Sequence, residues 1–188
     1  SAGSISITSD TVELGGGAIT TTITSGGADT EDITIAVTAY NRRDYIHAAI
    51  ASALEQTVSV KVLVVEDCSP DPGMRAFVTD TFGDQVEYIQ NPSRRGLFDN
   101  WNACMEYCRT PWLSILHDDD YLRPDFVSSM LDLSCSAPEC VVYFCSCDPV
   151  DSAGKLLPNP NPPMDGDWKP IDLQAFAYDY LLFMYNNN

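Results

Sequence analysis

Residues Trp112–Tyr121, WLSILHDDDY, join a short apolar run to three consecutive aspartates. The apolar part is typical of a buried strand, and the Leu-Arg-Pro segment that follows predicts a turn. Neighbouring carboxylates repel one another, and each costs free energy to desolvate. Grouped at the carboxyl end of a strand, they suit a divalent cation such as Mn²⁺ or Mg²⁺, which takes oxygen ligands and bridges to phosphates. The alternative interpretation is a solvated acidic turn.

Apolar segments rich in β-branched residues recur along the chain, and most are followed by a helical pattern. They predict strands at 33–39, 60–65, 86–89, 112–116 and 141–147. Helices are predicted to begin near Asp44, Asp71, Leu97 and Asp125. A last helical pattern covers 173–184, after an irregular loop at 149–170. This alternation favours an α/β fold with a mostly parallel sheet, which binds ligands at the carboxyl ends of its strands.

Some details of the helices and the core are also predicted. Asp44 is expected to cap its helix, because its side chain can accept free N–H groups of the first turn. The helix after Gly96 is predicted to bury one apolar face, formed by Leu97, Trp101, Cys104, Met105 and Cys108. The seven cysteines include no CxxC pair, so most are predicted to be small buried apolar residues rather than zinc ligands.

Composition separates the N-terminal part of the chain from the rest. Residues 1–31 are dominated by Ser, Thr and Gly and contain no Lys, Arg or aromatic residue. We predict a linker or small β appendage there, followed by one domain over 32–188.

The strong negative charge limits the partners that the chain can bind. The net charge is −17 at pH 7, with 10 basic against 27 acidic residues. This argues against nucleic acid and anionic membrane surfaces as partners, because binding them needs clustered Lys and Arg. No apolar run approaches the ~20 residues of a spanning helix, and no signal-peptide pattern is present. The expected location is the cytoplasm, with any membrane association supplied by parts outside this chain.

Polar residues follow three of the predicted strands. Thr38 and Tyr40 end the first strand, Asp67 ends the second, and the aspartates 118–120 end the fourth. A tyrosine ring can stack on a nucleobase, and a carboxylate can accept the N–H of its ring. Together with a cation, these residues predict a nucleoside-diphosphate pocket. The chain has neither GxxxxGK[ST] nor GxGxxG, which disfavours P-loop and dinucleotide-binding interpretations.

The same residues resemble those of a known family. Residues 33 to about 147 are similar to the nucleotide-binding half of a GT-A glycosyltransferase of family 2. The matching segments are VTAYN at 37–41, IASALEQT at 50–57, VVEDCS at 64–69, Asn91 with Gly96 and Asn102, and LHDDDYLRP at 116–124. The resemblance implies a Rossmann-like α/β/α sandwich. It also implies a metal-dependent enzyme that moves a sugar, with inversion, from a nucleoside-diphosphate donor (UDP-sugar favoured) to a saccharide or other hydroxyl acceptor.

Site residues also follow from this resemblance. Thr38, Tyr40 and Asp67 would hold the nucleoside, with Asp67 facing the base. Arg95, with Arg94 as second choice, would approach the base or the pyrophosphate. Among the three aspartates, Asp118 would lie near the ribose and the metal, Asp119 would be the most direct metal ligand, and Asp120 would share that role or orient its neighbours.

The resemblance does not supply a catalytic base. In the family this base is a carboxylate in the second half of the domain, and the sequence given ends at Asn188 before any matching segment. We expect the base to lie beyond Asn188, and we expect the isolated chain to be a donor-binding part without transfer activity.

Other functions share some of these features. A donor-binding pseudoenzyme or inactive fragment would keep the same pocket. A receiver-type signalling domain shares the fold class, but its acidic strand end should follow the first strand, and Lys155 is a poor match for its lysine. A nucleotidyltransferase would need a Gly-rich basic loop, which is absent after Thr38.

Overall fold

The computed structural model describes residues 5–8, 11–14, 33–140, 142, 143, 145 and 147–158. The chain divides into two compact units, Ser1–Ser129 and Met130–Asn188. Near the N-terminus, strands β1 (Ile5–Thr8) and β2 (Thr11–Leu14) pair antiparallel. Their alternating Ile, Val, Ser and Thr residues suit a short hairpin. The predicted domain boundary after residue 31 stays a prediction.

Four parallel strands then form the main sheet, in the order β5-β4-β3-β6. They are β3 (Ile33–Ala39), β4 (Lys61–Glu66), β5 (Val86–Gln90) and β6 (Trp112–His117). Every residue of β3 is buried, because strands pair with both of its edges and helices cover both of its faces. The chain adds β4 and β5 on one side of β3 and then crosses to add β6 on the other. Such a switch point opens a crevice at the carboxyl ends of the strands, where α/β proteins bind ligands.

Four α-helices follow the four strands in turn, as the alternating pattern predicts. They are α1 (Arg43–Leu54), α2 (Met74–Phe82), α3 (Leu97–Tyr107) and α4 (Phe126–Ser136). Helix α3 places Ala103 and Cys104 against one face of the sheet, where they meet side chains of β3 and β4. Strand residues that alternate with the ones facing α3 point to the other face of the sheet. There, α1 lies against β3 and β4, and α2 lies against β5. The predicted α/β fold with helices on both faces is therefore confirmed.

The structure corrects two predicted details of the helices. Asp44 does not cap α1, because the cap position is Arg42 and Asp44 lies inside the first turn. In the first turn its carboxylate still interacts favourably with the positive end of the helix dipole. On α3, Leu97 and Met105 are about half exposed, and Cys108 lies just beyond the helix. The buried positions are Asn100, Ala103 and Cys104, because this helix approaches the sheet through small side chains and one hydrogen-bonded amide.

The predicted strand at 141–147 is not found among the residues of it that the structure describes, 142, 143, 145 and 147. Instead, the Tyr143 hydroxyl donates to the carbonyl oxygen of Ala137 at 2.7 Å. Farther along, Val150 and Leu156 form an isolated antiparallel bridge within the predicted loop. The predicted helix at 173–184 lies outside the described residues.

Among the described helices, none combines the length and apolar character needed to cross a membrane.

Candidate functional site

The candidate site lies at the carboxyl ends of the parallel strands. Backbone hydrogen bonds extend the sheet past its strands here, with Asp67 N donating to Ala39 O at 2.8 Å and Asn91 N donating to Glu66 O at 2.8 Å. On the other side of β3, the backbone N–H of Tyr40 donates to Asp118 Oδ2 at 3.0 Å. Tyr40, Asp67 and Asp118 therefore surround the end of the central strand, as the sequence predicts.

Asp118 is the buried member of the three aspartates, at 6% exposure. Burial raises the pKa of its carboxyl, while the Tyr40 N–H and the Arg42 guanidinium oppose this effect by stabilising the charged form. The Arg42 Nη1 lies 3.6 Å from Asp118 Oδ1. The end of β6 thus presents a fixed carboxylate that is bonded to the backbone of the neighbouring strand.

The other two aspartates are more open to solvent. The Asp119 carboxylate is 42% exposed and pairs with the guanidinium of Arg42. Asp120 is exposed, and its backbone N–H donates to His117 O at 3.2 Å. Within the part of the chain that the structure describes, no three His, Cys, Asp or Glu side chains are grouped so as to hold a metal ion. The predicted metal roles of Asp118, Asp119 and Asp120 stay predictions.

The donor set nevertheless fits a hard divalent cation. Asp118 and Asp119 offer only oxygen atoms, which Mn²⁺ and Mg²⁺ prefer. Both carboxylates already attract one positive group, since the same Arg42 nitrogen lies near each of them. A cation with more charge, placed between the same oxygens, would be held by the same electrostatic attraction.

Asp67 holds the segment between β5 and α3 in place. Its Oδ1 accepts the backbone N–H of Arg95 at 2.7 Å and the Asn91 amide at 3.2 Å, and its Oδ2 accepts the Gly96 N–H at 2.8 Å. The side chain is 3% exposed. A carboxylate has about four lone-pair sites, so Oδ2 retains capacity for one further donor. Asp67 can therefore be both an anchor of this loop and a hydrogen-bond acceptor for a ligand.

Thr38 and Tyr40 have different surroundings. Thr38 is buried, and its hydroxyl lies 3.5 Å from Leu116 O, so its side chain joins β3 to β6. Tyr40 is half-buried, and the Arg94 guanidinium lies 4.3 Å from the centroid of its ring. This distance is typical of a cation–π contact. The ring of Tyr40 thus carries a positively charged group on one face.

The structure separates the two neighbouring arginines. Arg94 lies against Tyr40. Arg95 contributes its backbone N–H to Asp67, while its guanidinium pairs with Glu106 of α3 at 3.1 Å. The arginine side chain next to the predicted base-binding ring is therefore that of Arg94, which the sequence places second. The predicted ligand contact of Arg95 stays a prediction.

Sequence reasoning assigned no role to the buried polar residues behind the site. Glu66 is 1% exposed, and its oxygens accept the backbone N–H of Ser69 at 2.7 Å and the Tyr88 hydroxyl at 2.8 Å. Asn91 donates to Asn100 Oδ1 at 2.8 Å, and Asn100 donates to Val65 O at 3.2 Å. The sequence signal for this network is Asn100, which stands at a position of α3 that faces the sheet. A search for apolar residues at helical spacing does not detect it.

Two residues in the left-handed region shape the loops at the rim. Asn41 has φ 56° and Cys68 has φ 54°. Asparagine adopts this conformation readily, whereas cysteine does so at some cost. The Asn41 N–H donates to Ser69 Oγ at 3.0 Å, so the loops after β3 and β4 hold each other. This contact links the loop that leads to Arg42 with the loop after β4.

Known proteins resemble this chain in sequence and in fold. The succinoglycan biosynthesis protein ExoO of Rhizobium meliloti (strain 1021) is 39% identical over 104 residues, covering 54% of this chain and 29% of that protein. The S. aureus TarS 1–349 structure in complex with UDP-GlcNAc superposes with a TM-score of 0.51 at 18% identity, covering 57% of this chain and 32% of that one. The structure of the mannosyltransferase PcManGT from Pyrobaculum calidifontis, in complex with GDP-Man and Mn²⁺, superposes with a TM-score of 0.50 at 21% identity. The match covers 55% of this chain and 32% of that one.

These comparisons establish the fold and the family. At such identities the two structural likenesses show the fold, which is that of GT-A glycosyltransferases. The chain spans about a third or less of the length of each of these three proteins. The family model described as "Glycosyl transferase family 2" matches residues 34–175, which is more than half of the chain. The chain belongs to glycosyl transferase family 2.

Proposed function

We propose that the chain is the donor-binding part of an inverting glycosyltransferase, which moves a sugar from a nucleoside diphosphate to a hydroxyl acceptor such as a saccharide. One observation carries this proposal: Tyr40 and Asp118 are bonded to each other at the switch point of a parallel sheet, with Asp67 beside them. This is where α/β folds bind nucleotides. The pocket thereby combines an aromatic ring, a buried acceptor and carboxylates.

The nucleoside would be held by the residues around the end of β3. The Tyr40 ring offers a stacking surface, and Asp67 Oδ2 has capacity for the N–H of a nucleobase ring. Thr38 would support this pocket from within the sheet. UDP is the favoured nucleotide. The similar TarS structure contains UDP-GlcNAc and PcManGT contains GDP-Man, which supports a nucleoside-diphosphate sugar as donor.

Asp118 and Asp119 would hold a divalent cation, with Asp120 as a further ligand or as a residue that orients them. When bound, Mn²⁺ or Mg²⁺ stabilises the negative charge that develops on the departing diphosphate. Asp118 is suited to this role because its second oxygen is fixed by the Tyr40 N–H. Asp119 is suited because it is more exposed to an incoming ion.

A second candidate is a domain that binds the donor without transferring its sugar. The acceptor hydroxyl needs a general base. Asp165, Asp167, Asp172 and Asp179 lie outside the described residues, and no base is assigned among them. Glycosylation of an added saccharide by this chain would favour the enzyme over the binding domain.

Thermal shift with UDP and GDP, each with and without Mn²⁺, tests the donor pocket. We expect one of the nucleotides to raise the melting temperature, and the rise to need the cation, because a ligand that binds only the folded state stabilises it by an amount that grows with the ratio of ligand concentration to Kd. Asp119→Ala should abolish the cation-dependent part without unfolding the chain. Stabilisation that a chelator leaves unchanged would contradict the metal role, and no stabilisation by any nucleotide would contradict the donor pocket.

A further inference from the structure

Arg42 stands at the point where the proposed cation would bind. Its Nη1 contacts Asp119 Oδ2 and lies 3.6 Å from Asp118 Oδ1. One guanidinium thus neutralises part of the charge of two neighbouring carboxylates. Neither the nucleotide roles nor the metal roles assigned above include this residue.

The backbone of Arg42 is fixed, although its side chain is not. Arg42 occupies the cap position of α1, and its carbonyl oxygen accepts the N–H groups of Tyr45 at 3.1 Å and Ile46 at 3.2 Å. Its side chain makes no capping hydrogen bond and is 51% exposed. The guanidinium can therefore leave the carboxylates for solvent without breaking the helix.

The Asp118 carboxylate, in contrast, stays in place when the guanidinium leaves, because the Tyr40 N–H holds it. Asp119 follows it directly in the chain, so its carboxylate remains within reach of the same cation. A divalent cation and a guanidinium repel each other at such short separations, so each weakens the binding of the other to the same oxygens. A cation that takes these oxygens is therefore bound better when the guanidinium moves away.

We propose that Arg42 is the internal counter-ion of Asp118 and Asp119, and that a divalent cation binds this chain by displacing it. This inference rests on the proposed function, since it assumes the cation site at these two aspartates. Its consequence is that Arg42 sets the cation concentration at which the pocket fills. Removing the positive charge should make the pocket bind the cation more tightly.

Direct titration of the 188-residue chain with Mn²⁺ tests this proposal, with free Mn²⁺ measured by electron paramagnetic resonance. Arg42→Gln should bind Mn²⁺ about two- to fivefold more tightly than wild type, the range expected when an exposed ion pair no longer competes. Arg42→Lys keeps the charge and should stay within about twofold of wild type on the same grounds.

Arg43→Gln is the matched control. Arg43 is the next residue, is 50% exposed and pairs with Asp71 at 3.3 Å instead. The Arg43→Gln substitution removes the same charge without changing a contact of Asp118 or Asp119, so the Mn²⁺ affinity of this variant should remain near that of wild type. A second measurement is thermal: without metal, Arg42→Gln should melt below wild type, and Mn²⁺ should raise its melting temperature more, because the two carboxylates lack a counter-ion.

The outcomes separate this inference from the proposed function. If Asp119→Asn abolishes Mn²⁺ binding but Arg42→Gln leaves it unchanged or weaker, the counter-ion role is overturned and the cation site stands. If Arg42→Gln and Arg43→Gln tighten Mn²⁺ binding equally, the effect comes from the net charge of the protein rather than from the contact with Asp118 and Asp119, and the inference is also overturned. If neither wild type nor Arg42→Gln binds Mn²⁺, the cation site and the inference both fail.

Discussion

The carboxylate of Asp118 accepts the backbone N–H of Tyr40 at 3.0 Å, which joins the carboxyl ends of two adjacent parallel strands. The bond spans 78 residues of sequence, so it contributes to the fold as well as to the site. It also orients the peptide that carries the Tyr40 ring.

Replacing Asp118 separates its acceptor role from its charge. Asp118→Ala leaves a part-buried N–H without its acceptor and should lower the free energy of unfolding by about 1–3 kcal/mol. Asp118→Asn keeps an oxygen for this N–H and should cost less than about 1 kcal/mol, while both variants lose cation-dependent nucleotide binding. Urea denaturation measures the stability, with the exposed Asp120→Ala as control, expected within about 0.5 kcal/mol of wild type. Equal losses for Asn and Ala would show that the charge matters more than the hydrogen bond.

Asp67 is expected to be more important for stability than any other carboxylate of the site. It accepts three N–H groups from the segment 91–96 while almost fully buried. Asp67→Asn places an amide N–H₂ against one of these donors, and should lower the free energy of unfolding by about 2–4 kcal/mol. Urea denaturation of Asp67→Asn and of Asp80→Asn, an exposed position on α2, checks this. Similar stability of the two variants would contradict the anchoring role.

The sheet and its helices were predictable because their residues carry a strong local signal. The β-branched runs fix the four parallel strands to within one or two residues, and the order of elements fixes their parallel direction. The segment at 141–147 has the same apolar character, yet its described residues are not in a strand. A short apolar run specifies burial rather than pairing, so pattern alone does not decide its structure.

That the strand-end residues meet at one edge was predictable, but their contacts were not. Tyr40, Asp67 and Asp118 meet because the carboxyl ends of parallel strands share one edge. Their partners depend on loop conformation, including the left-handed Asn41 and Cys68, which no periodicity reveals. The prediction that most cysteines are buried was wrong, since of the seven only Cys104 is buried. Cysteine position in a loop or helix end outweighs its apolar character.

Cys104 should make stability fall at alkaline pH. It lies in the core between α3 and the sheet, and burial raises the pKa of its thiol to about 12. In the unfolded chain a cysteine loses its proton near pH 8.5, so above that pH the unfolded state binds fewer protons than the folded state. Stability from this group is complete below about pH 8.5 and falls by up to about 1.4 kcal/mol per pH unit above it.

Urea denaturation between pH 8 and 10.5 measures this effect. Cys104→Ala should be less stable at pH 8, because it leaves a small cavity, but should lose less stability per pH unit than wild type. The exposed Cys135→Ala should keep the wild-type slope. Burial and Glu66 also raise the pKa of Tyr88, but this group is present in all three proteins and cancels in the comparison. Parallel slopes for wild type and Cys104→Ala would contradict the assignment.

Tyr40 tests whether the pocket binds a nucleobase by stacking. One face of its ring holds the Arg94 guanidinium at 4.3 Å, so a base would stack on the opposite face or displace this side chain. Tyr40→Phe keeps the ring and should change UDP affinity by less than about twofold, whereas Tyr40→Ala should weaken it about 5- to 150-fold, the range for loss of base–aromatic stacking. Calorimetric titration measures both, with Tyr45→Ala, an exposed tyrosine on α1, as control. If Tyr40→Ala binds UDP as wild type does while Asp118→Asn does not, the phosphates are recognised here and the base is bound without this ring.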